Sequence, residues 1–276
     1  MNDSIIKTLG VAFAICLICS FVVSSTAVSL RDMQNENKAN DKRMKILQAA
    51  GIFDASKDIK DQFETLEPKY IDFNSGKLLT GSSLEQFLSE HKGDYDQIAA
   101  TRDSNYSKSL STSEDIAIIK NRENIGKFYL LRNEDNSINK VILPVRGYGL
   151  WGTLFGYISI ENDFNTVAGL EFYEHKETPG LGAEVDNPKW KALWPGKQLY
   201  RDNEVVLEVI KGKVPEDDSN LAYKVDGLSG ATITSRGVSN MIKYWFSDSG
   251  YANLLAPVID HMVMVSNINR RKALTQ

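Results

Sequence analysis

The chain has few of the residues that carry metal and nucleophile chemistry. It holds two cysteines and three histidines among 276 residues. Neither type falls into a cluster with metal-ligand spacing, and no Ser-His-Asp order or nucleophile elbow is present. These absences argue against a zinc enzyme, an iron–sulfur protein and a serine hydrolase. We therefore predict no metal ligand and no catalytic side chain.

Both cysteines lie in one uncharged run near the N-terminus, as Cys16 and Cys19. The remainder of the chain therefore forms no disulfide and holds no cysteine-ligated cluster. A Cys-x-x-Cys pair also suits a redox or metal role. Two thiolates are only half of a tetrahedral zinc site, so a packing role is the interpretation that we favour.

The chain also lacks an excess of basic charge. Its 32 Lys and Arg stand against 36 Asp and Glu, a net charge of −4, and 42% of its residues are hydrophobic. This balance is typical of one or two globular domains and argues against disorder and against a nucleic-acid partner. No internal period of 20–50 residues indicates a solenoid or propeller.

One uncharged run is long enough to cross a membrane. Thr8 to Leu30 are 23 residues, and as a helix they would span roughly 34 Å, against about 30 Å for a bilayer core. We predict an uncleaved anchor. A signal peptide cleaved after Ser25-Thr-Ala27 is the alternative, although signal peptides usually have a shorter apolar region. Basic residues after the run favour a cytoplasmic domain, but this rule is weak for long domains.

The segment after the anchor divides into helical, mixed and polar parts. Residues 41–50 have helical spacing and stop at Gly51, which predicts a juxtamembrane helix. Residues 57–92 mix short helical and strand-like pieces, and residues 92–114 are polar enough to predict a surface excursion. From residue 127 the pattern favours strands, at 127–131, 140–145, 153–160 and 167–173.

These patterns predict an α+β fold, in which a single N-terminal transmembrane helix precedes a mixed sheet-and-helix soluble domain. Gly147 to Gly152 spell the Gly-x-Gly-x-x-Gly string of dinucleotide-binding folds. That fingerprint requires a helix directly afterwards, whereas a strand pattern follows here. We reject a Rossmann site and predict a glycine-rich loop that lets a flat ring approach the backbone.

The stretch from Asp226 to Ser235 joins a strand-like run to a helix-like run. After it, apolar residues recur three and four positions apart from Ile233 to Phe246, which is one face of a helix. Ser229 or Thr232 is the predicted N-cap, after a glycine turn. Backbone N–H groups and the helix dipole at such a start attract a phosphate. An ordinary capped turn is the alternative.

A second loop runs from Glu174 to Gly182 directly after a predicted strand. Pro179 and two glycines make it tight. Its Glu, His and Thr side chains suggest a catalytic role for His175. A lone loop histidine is more often structural or exposed, and this is the interpretation that we favour.

Short motifs in these loops carry a family resemblance. The signature Asp-x-x-(Ser/Thr)-Gly-Ala-Thr of the FMN-binding domain family is matched by Asp226, Ser229, Gly230, Ala231 and Thr232. The Glu-Thr-Pro-Gly-Leu-Gly string that ends at Gly182 and the Gly-x-Gly-Leu-Trp run at 147–151 extend the match. Together with the anchor, they resemble the C subunits of the Na⁺-translocating NADH:quinone oxidoreductases (Nqr) over nearly the whole chain.

The resemblance implies one FMN, joined covalently through its phosphate to Thr232 by a flavin transferase. The chain would then be the electron-carrying subunit of a Na⁺-pumping NADH:ubiquinone reductase. Asp226, Ser229, Gly230 and Ala231 would form the phosphate turn, with Arg236 either near the phosphate or solvated. The resemblance also implies residues that border the flavin: Trp151, Glu174, Thr178, Leu181 and Gly182. Filling the core is the alternative role for Trp151.

The implied partners are the other members of a membrane complex of six subunits, the flavin transferase and membrane lipid. The implied location is the bacterial inner membrane, with the soluble domain in the periplasm. The apolar run has no ionisable residue, so Na⁺ conduction must belong to partner subunits. Other functions considered are the matching subunit of the Rnf complex, a membrane-anchored FMN sensor, and an assembly domain with an unmodified turn.

We expect four segments along the chain. Residues 1–31 are a cytoplasmic N-terminus and anchor, and residues 32–126 are a juxtamembrane helix with a variable α/β segment. Residues 127–262 form the FMN-binding domain, and residues 263–276 form a C-terminal tail.

Overall fold

A computed structural model describes residues 5–91 and 95–255 of the chain. The predicted tail, the last residues of the predicted FMN-binding domain and His261 lie outside the described residues. The chain divides between Arg43 and Met44 into two compact units. Each unit is described by itself below.

The described part of the first unit belongs to one helix, α1, which runs from Ile5 to Ala50. The residues of α1 from Met44 onward belong to the second unit. It contains the predicted anchor and is the one helix in the described residues long and apolar enough to cross a membrane. The predicted juxtamembrane helix is the last part of α1 and not a separate element. It ends as expected at Gly51, whose φ is +72°. Gly51 and Ile52 donate backward to Gln48 and Leu47, both at 3.0 Å, which is a Schellman motif.

The second unit is built from short helices around one large sheet. Its helices are α2 (Ile59–Phe63), α3 (Gly81–Glu90), α4 (Gln97–Ala100), α5 (Pro188–Lys191) and α6 (Thr232–Trp245), with 3₁₀ turns at Gly182–Asp186 and Leu221–Tyr223. Its strands are β1 (Leu66–Asp72), β2 (Lys77–Leu78), β3 (Ser107–Ser109), β4 (Asn121–Glu123), β5 (Ile125–Arg132), β6 (Ile138–Tyr148), β7 (Thr153–Glu161), β8 (Val167–Glu174), β9 (Tyr200–Arg201), β10 (Glu204–Val205), β11 (Glu208–Val209) and β12 (Lys224–Val225).

Six strands form the main sheet in the order β2-β1-β5-β6-β7-β8, and every neighbouring pair is antiparallel. The four strands expected after residue 127 are β5 to β8. β1 pairs with β5 along its whole length, so the sheet draws strands from both sides of the expected segment boundary at residue 126. The strand-like run at 221–225 is a 3₁₀ turn followed by β12, which pairs in parallel with β11.

Helices cover both faces of this sheet. On one face the last turn of α1, with Ile46 and Leu47 buried, packs in a cluster with Ile142. On the other face α6 contributes Val238, Met241, Ile242 and Trp245, all at most 1% exposed. Burial of each such side chain stabilises the fold by about 1.5–3 kcal/mol. The α+β prediction is confirmed.

A buried ion pair fixes the far end of α6 on strand β6. The guanidinium of Arg146 donates to both carboxylate oxygens of Glu123, at 3.0 and 2.5 Å. Trp245 Nε1 donates to the carbonyl of Arg146 at 2.8 Å, and the guanidinium lies 5.0 Å from the Trp245 ring centre. Helix and strand are therefore held in one register, and this register positions the start of α6.

Candidate functional site

The start of α6 differs from the sequence prediction. Ala231 is the N-cap, Thr232 is the first helical residue, and no side chain caps the helix. The predicted caps, Ser229 and Thr232, do not act as caps. Instead, a side chain inside the helix stabilises the turn before it: Ser235 Oγ accepts the N–H of Leu228 at 3.0 Å.

The first turn of α6 consequently has unsatisfied donors. Within the described residues, the N–H groups of Thr232, Ile233 and Thr234 have no hydrogen-bond acceptor. The first turn carries no acidic residue, and Thr232 is exposed. Unpaired N–H groups and the positive end of the helix dipole attract an anion. The exposed hydroxyl of Thr232 therefore lies beside a site suited to a phosphate.

The turn before α6 is shaped by contacts on its other side. The side-chain carboxylate of Asp226 accepts the N–H of Val214 at 2.8 Å. The backbone carbonyl of Asp226 accepts the indole N–H of Trp190 at 2.8 Å. Gly230 has φ +71°, and a Cβ there would lie 2.8 Å from Cδ2 of Leu181. Asp226 thus fixes the turn from the side of Val214, and Gly230 lets the loop containing Leu181 approach it.

The glycine-rich run at 147–152 ends β6 and turns into β7. No helix follows it in the structure, which confirms the rejection of a Rossmann site. Its glycines serve packing within the chain: a Cβ on Gly147 would lie 2.7 Å from Met241 Cβ. A Cβ on Gly237 of α6 would lie 2.3 Å from the carbonyl oxygen of Tyr148. α6 therefore lies directly against the backbone at the end of β6.

Glu177 is the residue at this site that sequence reasoning missed. Its side chain is 6% exposed. The carboxylate accepts the N–H of Leu150 at 3.0 Å, the N–H of Trp151 at 2.9 Å and the hydroxyl of Thr234 at 2.5 Å. The sequence prediction chose Glu174, which is exposed at the end of β8. Glu177 begins the Glu-Thr-Pro-Gly-Leu-Gly string, but this position alone does not separate its role from that of Glu174.

His175 takes part in the same loop as a structural residue. Its Nε2 lies 2.7 Å from an oxygen of Asp186, and its Nδ1 accepts the N–H of Glu177 at 3.2 Å. These two bonds agree with the structural interpretation of this histidine. Thr178, also expected near the flavin, is exposed. Its carbonyl accepts the N–H groups of Leu181 and Ala183, both at 3.1 Å.

Large apolar side chains lie exposed around the start of α6. Trp151 is 63% exposed, Ile233 54% and Leu181 43%. Leu181 contacts the turn at Gly230, and Gly182 lies against both Glu177 and Thr234. These contacts bring the β6–β7 loop, the 174–182 loop and the first turn of α6 together. An apolar ring system would find cover here beside the exposed hydroxyl of Thr232.

A cleft of about 360 Å³ opens on the side of α6 that carries Thr232. Its lining includes Arg236 and Lys243 from α6 and Lys211 from the segment after β11. Arg236 is exposed, one helical turn after Thr232. Glu208 also lines the cleft and pairs with Lys243 at 3.8 Å, so Arg236 and Lys211 are the cations that favour a phosphate at the helix start.

The described residues contain no group of three or more His, Cys, Asp or Glu side chains that could hold a metal. Cys16 and Cys19 are unpaired thiols on the exposed surface of α1. Around Thr232 the available groups are hydroxyls, backbone N–H groups and exposed apolar side chains. These groups suit an organic phosphate that carries a ring system.

Comparison with known families identifies the class of this site. The family model described as FMN-binding domain matches residues 149–247. That range begins in the glycine-rich β6–β7 loop, passes through the 174–182 loop and includes all of α6. The three segments that meet around Thr232 are thus the matched part of the chain.

Comparisons over nearly the whole chain identify the family within the class of FMN-binding domains. The C subunit of the Na(+)-translocating NADH-quinone reductase of Pseudomonas aeruginosa is 43% identical over 260 residues, covering 92% of this chain and 96% of that protein. The protein of the same name from Vibrio vulnificus is 42% identical over 261 residues, covering 94% and 97%. The crystal structure of Shewanella oneidensis NqrC matches with a TM-score of 0.70 at 31% identity, covering 81% and 98%. The chain belongs to the family of C subunits of the Na⁺-translocating NADH-quinone reductases.

Proposed function

We propose that the chain carries one FMN, attached covalently through its phosphate to Thr232 Oγ1, and relays electrons within a Na⁺-translocating NADH:ubiquinone reductase. The observation that carries the proposal is an exposed hydroxyl at the first residue of a 14-residue helix whose leading N–H groups lack acceptors. The family membership and the FMN-binding domain match support the same cofactor.

The residues present fit the parts of FMN separately. The N–H groups of Thr232, Ile233 and Thr234 suit phosphate oxygens, and Arg236 adds positive charge one turn later. Ser229, exposed on the same turn, supplies a further hydroxyl donor. Trp151 and Leu181 offer exposed apolar surface for the ring system.

When bound, FMN supplies the redox chemistry, because its ring accepts and releases electrons one or two at a time. The protein supplies position, solvent access and local charge. In the attachment reaction a flavin transferase would join Oγ1 of Thr232 to the phosphorus of the flavin phosphate in an activated donor such as a flavin dinucleotide. The bond from that phosphorus to the nucleoside monophosphate would break, and the hydroxyl proton would pass to a base. The resulting tether prevents loss of the cofactor, which is useful where no pool of FMN exists.

The remaining parts of the proposal concern location and partners. We place the second unit on the periplasmic side of a bacterial inner membrane, with helix α1 as the anchor. The other members of a complex of six subunits would donate and accept the electrons and form the Na⁺ path. Support comes from the apolar helix, from membership of a family named as one subunit of a larger reductase, and from the absence of ionisable residues between Thr8 and Leu30.

The proposal is tested by intact mass and in-gel fluorescence of the full chain produced together with a flavin transferase. The wild-type protein should carry the mass of FMN less one water, and Thr232→Ala should lose both the added mass and the fluorescence. Ser82→Ala is the matched control, because it removes an exposed hydroxyl from the first turn of another helix, α3, and should keep the flavin. A wild-type chain without added mass would refute the proposal.

A further inference from the structure

Glu177 carries a buried charge that the proposed function does not use. Its side chain is 6% exposed, and no cationic side chain pairs with it in the described part of the chain. Glu123, a comparably buried carboxylate, is paired with Arg146. A buried carboxylate without a cation destabilises the fold unless hydrogen bonds satisfy its oxygens. The arrangement of those bonds therefore indicates what Glu177 stabilises.

The hydrogen bonds to Glu177 come from two separate elements. The N–H groups of Leu150 and Trp151 belong to the β6–β7 loop, and the hydroxyl of Thr234 belongs to the first turn of α6. One carboxylate thus joins the exposed apolar loop to the helical turn that begins at Thr232. Bonds of this kind to a charged acceptor are shorter and stronger than neutral ones.

The space around the carboxylate is shaped for it by two glycines. A Cβ on Gly149 would lie 2.6 Å from one carboxylate oxygen of Glu177. A Cβ on Gly182 would lie 2.5 Å from the other and 2.7 Å from the hydroxyl of Thr234. Any side chain at either position would displace the carboxylate or the helix.

The backbone of Glu177 is fixed as well. Its N–H donates to Nδ1 of His175, and the opposite ring nitrogen of His175 is 2.7 Å from an oxygen of Asp186. The loop after β8 therefore presents the carboxylate from a constrained position. It behaves as a rigid connection between the sheet, the β6–β7 loop and α6.

We propose that Glu177 is a positioning residue for the flavin: its carboxylate sets the attachment turn at Thr232 and the exposed loop at Leu150 and Trp151 in one fixed relation. This inference rests on the proposed function. A second consequence follows from its charge, because a negative group near a flavin opposes the addition of an electron. Glu177 would therefore lower the reduction potential of a flavin ring that lies on the loop of Trp151, whose N–H the carboxylate accepts at 2.9 Å.

The test uses the full chain produced with a flavin transferase and compares four variants. Glu177→Ala removes all three bonds, Glu177→Gln keeps the shape but not the charge, and Thr234→Val removes only the hydroxyl donor. Glu171→Gln is the matched control. That carboxylate is also mostly buried, with its side chain 12% exposed, but Lys45 and Lys191 hold it at 3.2 and 2.6 Å, away from the flavin loops.

Four quantities are measured on each variant: the flavin-bearing fraction by intact mass, the visible circular dichroism of the bound flavin, its midpoint potential, and the Tm of the flavin-free protein. Glu177→Ala should lower the flavin-bearing fraction several-fold and weaken the circular dichroism of the flavin that is attached. Glu177→Gln should restore most of the loading and raise the midpoint potential. Thr234→Val should weaken the circular dichroism and leave the potential near the wild-type value.

The outcomes separate this inference from the function on which it rests. A wild-type chain that carries flavin, together with a Glu177→Ala variant of unchanged loading, circular dichroism and potential, would overturn the positioning role alone. Equal losses in Glu171→Gln would also overturn it, since they would indicate general destabilisation. A wild-type chain without flavin would overturn the proposed function and this inference together.

Discussion

The close approach of α6 to strand β6 predicts that an alanine at Gly237 destabilises the protein. The added Cβ would lie 2.3 Å from the carbonyl oxygen of Tyr148 and 3.2 Å from Cα of Gly149. Ordinary carbon contacts are about 3.5–4.0 Å, so the helix must move by roughly 1 Å. Because the obstacle is backbone, a side-chain rotation cannot relieve it.

Two effects of opposite sign determine how much Gly237→Ala changes the free energy of unfolding. In a helix interior, alanine is more favourable than glycine by about 1 kcal/mol. Overpacking in a well-packed core costs about 1–3 kcal/mol, and we take the upper end because the contact is with backbone atoms. The net loss is then about 2 kcal/mol, which lowers the Tm by roughly 4–8 °C for a domain of this size.

The assay is thermal unfolding of Gly237→Ala followed by near-UV circular dichroism. The Thr232→Ala background removes any contribution from bound flavin. Gly10→Ala is the matched control, since Gly10 is also helical but has nothing within 4 Å of the added atom. An unchanged or higher Tm for Gly237→Ala would show that helix propensity outweighs the contact, which would refute the reasoning.

Two further predictions concern buried groups. Burial raises the pKa of Tyr244 to about 12 and that of Tyr157 well above its usual value. Their stabilisation is complete below the unfolded pKa of about 10 and is lost as the pH rises through the folded values. The part of the tyrosinate absorbance that Tyr244→Phe or Tyr157→Phe removes should therefore appear together with unfolding and not before it. Arg146→Met leaves Glu123 buried and unpaired and should cost about 3–5 kcal/mol in urea unfolding. The double variant with Glu123→Leu should regain much of this loss, and an equal loss in both variants would contradict the argument.

Local sequence patterns correctly predicted those helix ends and strands that depend on residues close together in the sequence. The strands β5 to β8 and the stop of α1 at Gly51 follow from alternation and from a glycine that tolerates positive φ. The predicted N-cap of α6 was wrong, because the N–H of Leu228 in the preceding turn is bonded by Ser235, which lies later in the sequence. Sequence rules for caps consider the residue before the helix and a Glu or Gln at the third helical position, whereas Ser235 is the fourth residue of α6.

Glu177 could not be singled out from the sequence for a related reason. Its partners are 26 and 27 residues earlier in the β6–β7 loop and 57 residues later in α6. No periodicity connects positions so far apart, and Glu174 in the same loop has the same chemistry. Only the fold distinguishes an exposed carboxylate at a strand end from one enclosed between Gly149 and Gly182.

The same contacts explain how the N–H groups in the first turn of α6 can lack acceptors while the turn is still held in place. A helix start whose N–H groups lack partners is normally stabilised by a side-chain cap. Here two side-chain hydrogen bonds that do not use these N–H groups stabilise the turn. Ser235 accepts the N–H of Leu228, and Thr234 donates its hydroxyl to Glu177. The donors at the front of the turn are therefore fixed yet remain available. A phosphate attached at Thr232 would meet these donors with little further ordering, which is the condition for strong and well-oriented binding.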